Sequence, residues 1–170
     1  SDSNAPQTFH AFRIHSERDK HRAGIEEMRL DDLSPGEIVV KVAYSSVNYK
    51  DALAGSGKGK ILRTSPLNGG IDVAGYVTAS SDPAFKEGDE VLCTGCGLSE
   101  TRDGGYAEYA RIESKWAIRL PSGLTLRESM ILGTAGFTAA LSLYRMQQNG
   151  QTPELGPIVV TGASGGVGSL

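Results

Sequence analysis

Through most of the chain, apolar positions alternate with polar or small ones. From Glu37 to Val47, Ile38, Val40, Val42 and Tyr44 stand against Val39, Lys41, Ala43 and Ser45. A period of two predicts a strand with one buried face. Phe9 to Ile14 reads as a shorter first strand and Gly24 to Leu30 as a second. The charged stretch Ser16–Arg22 between them reads as a solvated hairpin loop. Leu33-Ser34-Pro35-Gly36-Glu37 is a turn, with Pro and Gly where turn geometry wants them. Gly69 to Val77 reads as a turn and then a strand. Gly75, inside that strand, marks a bulge or a close backbone approach. Phe85 to Leu92 is a tight turn into another strand; Gly104–Ala110 and Trp116–Leu120 follow. Short strands at this spacing predict a barrel or sandwich.

The period changes near residue 125. Thr125-Leu126-Arg127-Glu128 is a capping box, which opens a helix. Met130, Ile131, Leu132, Phe137, Ala140, Leu141 and Tyr144 then recur at helical spacing. Gly133 and Gly136 are expected to divide this stretch into two helices, and Asn149-Gly150 to end the second. Ile158-Val159-Val160, bounded by Gly156 and Pro157, predicts a buried strand running into a glycine-rich turn that ends at Gly168. The order implies a mainly β domain over residues 9–124 and the opening of an α/β domain over 125–170. Residues 1–8 are read as a tag or disordered terminus.

Composition narrows the function. Hydrophobic residues make up 39% and charged residues 22%, as in a globular protein. The net charge of −3 gives no reason to expect nucleic acid or an anionic membrane as a partner. No apolar run is long enough to span a bilayer. No leader pattern opens the chain, so a cytoplasmic location is expected.

Four stretches carry candidate chemistry. Gly162-Ala163-Ser164-Gly165-Gly166-Val167-Gly168 is a relative of the dinucleotide fingerprint. Its glycines allow close backbone approach, and a following helix would turn free N–H groups towards a phosphate. Asn48-Tyr49-Lys50-Asp51 is a dense polar cluster at a strand end, before a single helical turn at Ala52–Ala54. Asn48 there reads either as a helix cap with Tyr49 packed beside it, or as part of a site. Gly55 to Lys60 looks like a phosphate loop but is not one. Ala54 stands where the first Gly belongs, and Ile61 where Ser or Thr should hold Mg²⁺. Cys93 and Cys96 form a Cys-x-x-Cys pair without further cysteines, and the three histidines all lie before residue 22. Two free thiols are expected, with no metal site.

Several separated stretches together resemble the medium-chain dehydrogenase/reductase superfamily. They are Ser45–Leu53, Gly57–Lys60, Gly70–Gly75, Gly88–Val91, Gly133–Ala139 and Val159–Gly168. Within it the chain is most similar to the zinc-free, quinone oxidoreductase-like branch and to the acrylyl-CoA reductase family. The resemblance implies a GroES-like, barrel-like catalytic domain followed by a Rossmann nucleotide-binding domain. Zinc-dependent members carry Gly-His-Glu where this chain has Gly70-Ile71-Asp72, and Ile71 cannot ligate zinc. The implied chemistry is hydride addition from NADPH to an activated C=C bond, acrylyl-CoA to propionyl-CoA. The enolate that forms needs hydrogen-bond donors, and a proton must reach the α-carbon.

The resemblance also assigns residues. Asn48, Tyr49 and Thr134 are implied beside the nicotinamide and its ribose. Ser164, Gly165, Gly166 and Val167 are implied at the pyrophosphate. Tyr49 is the candidate donor to the substrate, Asp51 an orienting residue, and Lys58 and Lys60 candidates for CoA phosphates. A small-molecule substrate and a homodimer are the implied partners. Two alternatives stay open: an NADPH:quinone or enone reductase, and a non-catalytic GroES-like binding module. The Rossmann domain is incomplete within residues 125–170, so the activity is expected of a longer chain, and these residues alone are expected to be inactive.

Overall fold

The computed structural model describes residues 8–18 and 20–170. The terminus read as a tag therefore lies, apart from Thr8, outside the described residues. Two antiparallel sheets dominate. One contains β1 (Phe9–Glu17), β2 (Lys20–Met28) and β4 (Leu67–Asn68), in the order β2-β1-β4. The other contains β3 (Ile38–Tyr44), β5 (Asp72–Ser80), β6 (Glu90–Thr94), β7 (Tyr109–Ile112) and β8 (Ile118–Arg119), in the order β7-β3-β5-β6-β8. Two α-helices join them, α1 (Tyr49–Ser56) and α2 (Leu126–Gln148).

The main core lies on one face of the larger sheet. Ile38, Val40, Val73, Val77, Val91 and Ile112 meet there. Val39 points the other way and is buried too, against Phe9, Ala11, Met28, Leu33 and Tyr109. β3 is thus covered on both faces at its start, which is why Ile38-Val39-Val40 is an unbroken apolar run. Gly75 permits the close approach expected of it. A Cβ there would meet the Lys41 carbonyl oxygen at 2.1 Å, and the β3–β5 register shifts between Val42 and Tyr44.

Several element boundaries differ from expectation. Ser16–Arg22 is mostly strand, because Ser16 pairs with His21 and Glu17 with Lys20. Ladder hydrogen bonds hold it extended although its side chains are charged. β3 stops at Tyr44 rather than Val47, and α1 has two turns rather than one. The stretch 104–108 precedes β7 instead of opening it. Gly104 N donates to Asn68 O at 3.0 Å and Gly105 N to Gly70 O at 2.9 Å. A Cβ at Gly104 would meet Gly70 O at 2.2 Å, so only glycine allows this crossing. Residues 114–116 form a 3-10 turn, which leaves only Ile118–Arg119 as β8.

α2 opens as its capping box predicts. Thr125 Oγ1 accepts from Glu128 N at 3.2 Å, and Glu128 Oε2 accepts from Thr125 N at 2.9 Å. Leu126 and Met130 pack on Ala74 of β5. Gly133 kinks the helix, with φ 49° and ψ −151°. Gly136 does not break it: Gly133 is the one position inside α2 whose φ and ψ are not helical. The strand expected at Ile158–Val160 is not formed. Val159 is 86% exposed, and no strand among the described residues lies beside it. A strand needs a partner for its N–H and C=O groups, however favourable its residues. No helix among the described residues is long and apolar enough to cross a membrane.

Candidate functional site

The polar residues clustered in sequence at 48–51 part company in the fold. Lys50 leaves the group and pairs with Glu100 at 2.6 Å; Arg63 reaches the same carboxylate at 2.8 Å. This ties α1 to the loop before β7. Asp51 turns inward. Its Oδ1 accepts from Ile71 N at 2.9 Å, and its Oδ2 from Asn48 N at 2.9 Å. The second bond caps α1 and leaves Asp51 as a brace between the helix and β5. Tyr49 does not pack, as the capping alternative supposed. It is 80% exposed, with no hydrogen-bond partner among the described residues.

The centre of the cluster is Asp72, the first residue of β5, which is fully buried. Its Oδ1 accepts from Thr134 Oγ1 at 2.6 Å. Its Oδ2 accepts from Thr134 N at 3.0 Å, from Asn48 Nδ2 at 3.0 Å and from the Ser46 hydroxyl. A carboxylate buried this deeply is tolerable because donors surround it. The kink at Gly133 makes the arrangement possible. It swings Thr134 towards β5, and a Cβ at Gly133 would stand 2.8 Å from Asp72 Oδ2. Two positions 62 residues apart are thereby joined by one side chain.

Tyr106 closes the back of the cluster. Its hydroxyl donates to Ser46 O at 2.8 Å. Burial, aided by the Asp51 and Asp72 carboxylates, pushes its phenol well above the ordinary value. Tyr106 therefore keeps its proton and acts as a fixed strut. Sequence reasoning passed over Asp72, Ser46 and Tyr106 as site residues. One signal was present for Asp72: an acidic residue opens an otherwise apolar strand, Val73-Ala74.

The glycine-rich turn comes to the same place. A cavity of about 300 Å³ is lined by Ser46, Asn48, Met130, Gly133, Ala135 and Gly166, among others. The turn is held by Gly165 N donating to Gly162 O at 2.9 Å and Ser169 N to Gly165 O at 3.0 Å. A Cβ at Gly168 would stand 2.3 Å from Gly162 O, so a larger residue there would open the turn. The N–H groups of Ser164, Gly166 and Val167 find no acceptor among the described residues; that of Gly165 is taken. Exposed, unpaired N–H groups on a glycine turn suit phosphate oxygens, so these residues fit a dinucleotide.

The cysteines stand apart. Cys93 is buried in β6, where it pairs with Val73 of β5, and Cys96 is exposed; both are free thiols. Burial, with Cys96 second, pushes the Cys93 thiol up to about 12, so it stays protonated. Among the described residues, no group of three or more His, Cys, Asp or Glu is arranged to hold a metal ion.

Comparison with known proteins places this geometry in a family. Residues 34–122 match the model of the alcohol dehydrogenase GroES-like domain. The putative quinone oxidoreductase YhfP of Bacillus subtilis is 48% identical over 162 residues, covering 95% of this chain and 49% of the relative. The probable acrylyl-CoA reductase AcuI of Escherichia coli is 48% identical over 159 residues, covering 94% and 49%. The crystal structure of the yhdH oxidoreductase from Salmonella enterica, in complex with NADP, superposes with a TM-score of 0.90 at 49% identity, covering 94% of this chain and 49% of that one. The chain spans about half the length of the curated relatives it matches. With its two antiparallel sheets and the match over 34–122, it belongs to the alcohol dehydrogenase GroES-like domain family, in the zinc-free, quinone oxidoreductase-like branch of the medium-chain dehydrogenase/reductases.

Proposed function

We propose that the complete protein is an NADPH-dependent reductase of activated C=C bonds, acting on acrylyl-CoA to give propionyl-CoA. The observation that carries this reading is the meeting of the glycine turn, through Gly166, with Asn48 across one cavity. Likeness to the acrylyl-CoA reductase AcuI and to an oxidoreductase crystallised with NADP supports the substrate and the cofactor.

In this reading NADPH, when bound, supplies the hydride. The chain's own residues hold and orient. The N–H groups of Ser164, Gly166 and Val167 bind pyrophosphate oxygens, and Gly165 shapes the turn. Asn48 and Thr134, braced by Asp72, receive the nicotinamide end. Tyr49, without a hydrogen-bond partner among the described residues, donates a hydrogen bond to the substrate oxygen or a proton to the substrate α-carbon. Lys58 and Lys60, both exposed in the stretch that follows α1, meet the phosphates of CoA. We further infer a cytoplasmic homodimer, with residues 9–124 as the catalytic domain and 125–170 as the start of the nucleotide-binding one. Size measurement in solution would test the dimer, and limited proteolysis the boundary.

The relative YhfP, called a putative quinone oxidoreductase, favours a second reading as a quinone or enone reductase. NADPH oxidation by the complete protein, with acrylyl-CoA and with a simple quinone, separates the two. A higher kcat/KM for acrylyl-CoA supports the first. Replacing Lys58 and Lys60 together by alanine should then raise the KM for acrylyl-CoA and leave that for a quinone unchanged. No turnover of either substrate would leave the non-catalytic module as the better account.

A further inference from the structure

Cys93 and Cys96 take no part in the site above, yet the fold sets them up as a pair with unequal members. Cys93 lies within β6 and is 1% exposed, in the main core; Cys96 is exposed just beyond the strand. Between them the chain curls back. Gly95, Cys96 and Gly97 follow one another with φ of 68°, 52° and 85°. Glycine takes this region freely, whereas Cys96 is held there in spite of its Cβ. The curl is tied down: Leu98 N donates to Gly95 O at 3.0 Å, and Thr101 N and Arg102 N donate to Gly97 O at 2.9 and 3.1 Å. It turns the Cys96 side chain back along β6, where the thiol reaches Thr94 O at 3.4 Å. Cys96 also helps to hold the Cys93 proton, by charge and by hydrogen bonding, so the two sulfurs are neighbours. Sulfurs that already adjoin can be joined with little backbone movement.

We propose that Cys93 and Cys96 are a redox-active dithiol, which a small disulfide such as oxidised glutathione converts reversibly to an intramolecular disulfide, with Cys96 attacking and Cys93 resolving. The inference stands apart from the cofactor reading. Access decides the roles, since only Cys96 is open to an oxidant from solution. Its thiolate attacks one sulfur of oxidised glutathione. A Cys96–glutathione bond forms, the glutathione S–S bond breaks, and one glutathione leaves. Cys93 then gives its proton to solvent and attacks the Cys96 sulfur; the Cys93–Cys96 bond forms and the second glutathione leaves. The protein loses two electrons and two protons, and the two glutathiones gain them. The fixed turn favours Cys93 over a further glutathione as the second attacker. That step is the slow one, because burial holds the Cys93 proton; Cys96 and Asp72 add to this and Arg102 opposes it. In a reducing compartment such a pair rests as thiols and closes under oxidation. The bond would span Thr94, the residue that pairs with Asp72 in the β5–β6 ladder.

The test uses the complete protein that carries this sequence, treated while folded with oxidised glutathione, then denatured in iodoacetamide and digested with trypsin. The fragment Glu87–Arg102 holds both cysteines. The expected product is this fragment without alkylation, two hydrogens lighter than the dithiol and restored to it by dithiothreitol. Two alkylated cysteines, or a glutathione that stays on Cys96 at equilibrium, overturns the proposal. Cys93→Ala should stop the reaction with one glutathione on Cys96, and Cys96→Ser should leave Cys93 unmodified. Glutathione on Cys93 in a folded Cys96→Ser protein overturns the assignment of roles. Closure of the mixed disulfide should quicken about tenfold per pH unit between about pH 7 and pH 9, since Cys93 must first lose its proton. A closure rate independent of pH overturns the roles likewise. Because Cys93 is buried and its variant can fail to fold, this pH series on the unmodified protein serves as the second measurement.

Discussion

In β3 and β5, Ile38, Val40, Val73 and Val77 are at most 1% exposed, whereas Phe137 in the second half of α2 is 60% exposed and Val159 beyond it 86%. The residue types are similar; what differs is the neighbourhood. The strands lie between two partners each and beneath a loop. The outer half of α2 and the Ile158–Val160 run have no such cover among the described residues. Even within α2 the contrast holds. Leu126 and Met130, which pack on β5, are buried, whereas Ile131, Leu141, Leu143 and Tyr144, which do not, face outward. An apolar pattern states which face can be buried, and only a packed neighbour buries it.

Mutations sharpen this contrast, the largest effect first. Ile38→Ala should cost about 2–5 kcal/mol of stability, since it leaves a cavity in a closed core. Val159→Ala should change stability by less than about 0.5 kcal/mol. Denaturant unfolding of both variants checks the pair, and equal losses would break the comparison. Gly133→Ala should cost about 1–3 kcal/mol, because φ 49° and ψ −151° suit only glycine. It should also weaken cofactor binding in the complete protein by displacing Thr134. Thr125→Ala removes the cap of α2 and should cost about 1 kcal/mol by thermal unfolding.

The β region should also respond to alkali. Cys93 and Tyr106 hold their protons more tightly in the fold than in the unfolded chain, where their ordinary values are 9.0 and 10.0. The unfolded chain thus releases these protons first as pH rises. The stability they support is full below pH 9.0 and is lost as pH climbs towards about 12 for the thiol and higher for the phenol. Unfolding midpoints measured from pH 8.0 upward should fall, and Tyr106→Phe should flatten the upper part of that fall. A flat profile in the unmodified chain would contradict the burial described for both groups. The smallest effect on stability belongs to Tyr49→Phe, within about 0.5 kcal/mol, since the side chain is solvated. Its turnover should nonetheless drop at least tenfold. Unchanged turnover would remove Tyr49 from the chemistry.

Much of the fold is legible in local pattern. The period-two alternation of β3, the Thr125 capping box and the glycine inside β5 are signals carried by a few adjacent residues, whereas the turn expected at Pro35-Gly36 is extended, unpaired chain. The candidate site is less legible. Asn48, Tyr49 and Thr134 came from resemblance to a family, while Asp72, which joins Asn48 to Thr134, carried no comparable signal. Its partners lie 24 and 62 residues away in the chain. Boundaries failed where long-range pairing outweighed local chemistry, as in the charged hairpin Ser16–Arg22, which ladder bonds hold as strand.

By itself, the sequence determined which segments can be strands or helices, that Gly75 marks a close approach inside a strand, and where α2 begins. Those properties depend on backbone sterics and on the spacing of apolar side chains, which neighbours in the chain dictate. Only the tertiary structure decided that Asp72 collects the donors of Ser46, Asn48 and Thr134, that Tyr49 is exposed while Tyr106 is locked, and that Ile158–Val160 has no strand partner among the described residues. Each of these depends on which distant group fills the space beside a residue, and no local pattern carries that information.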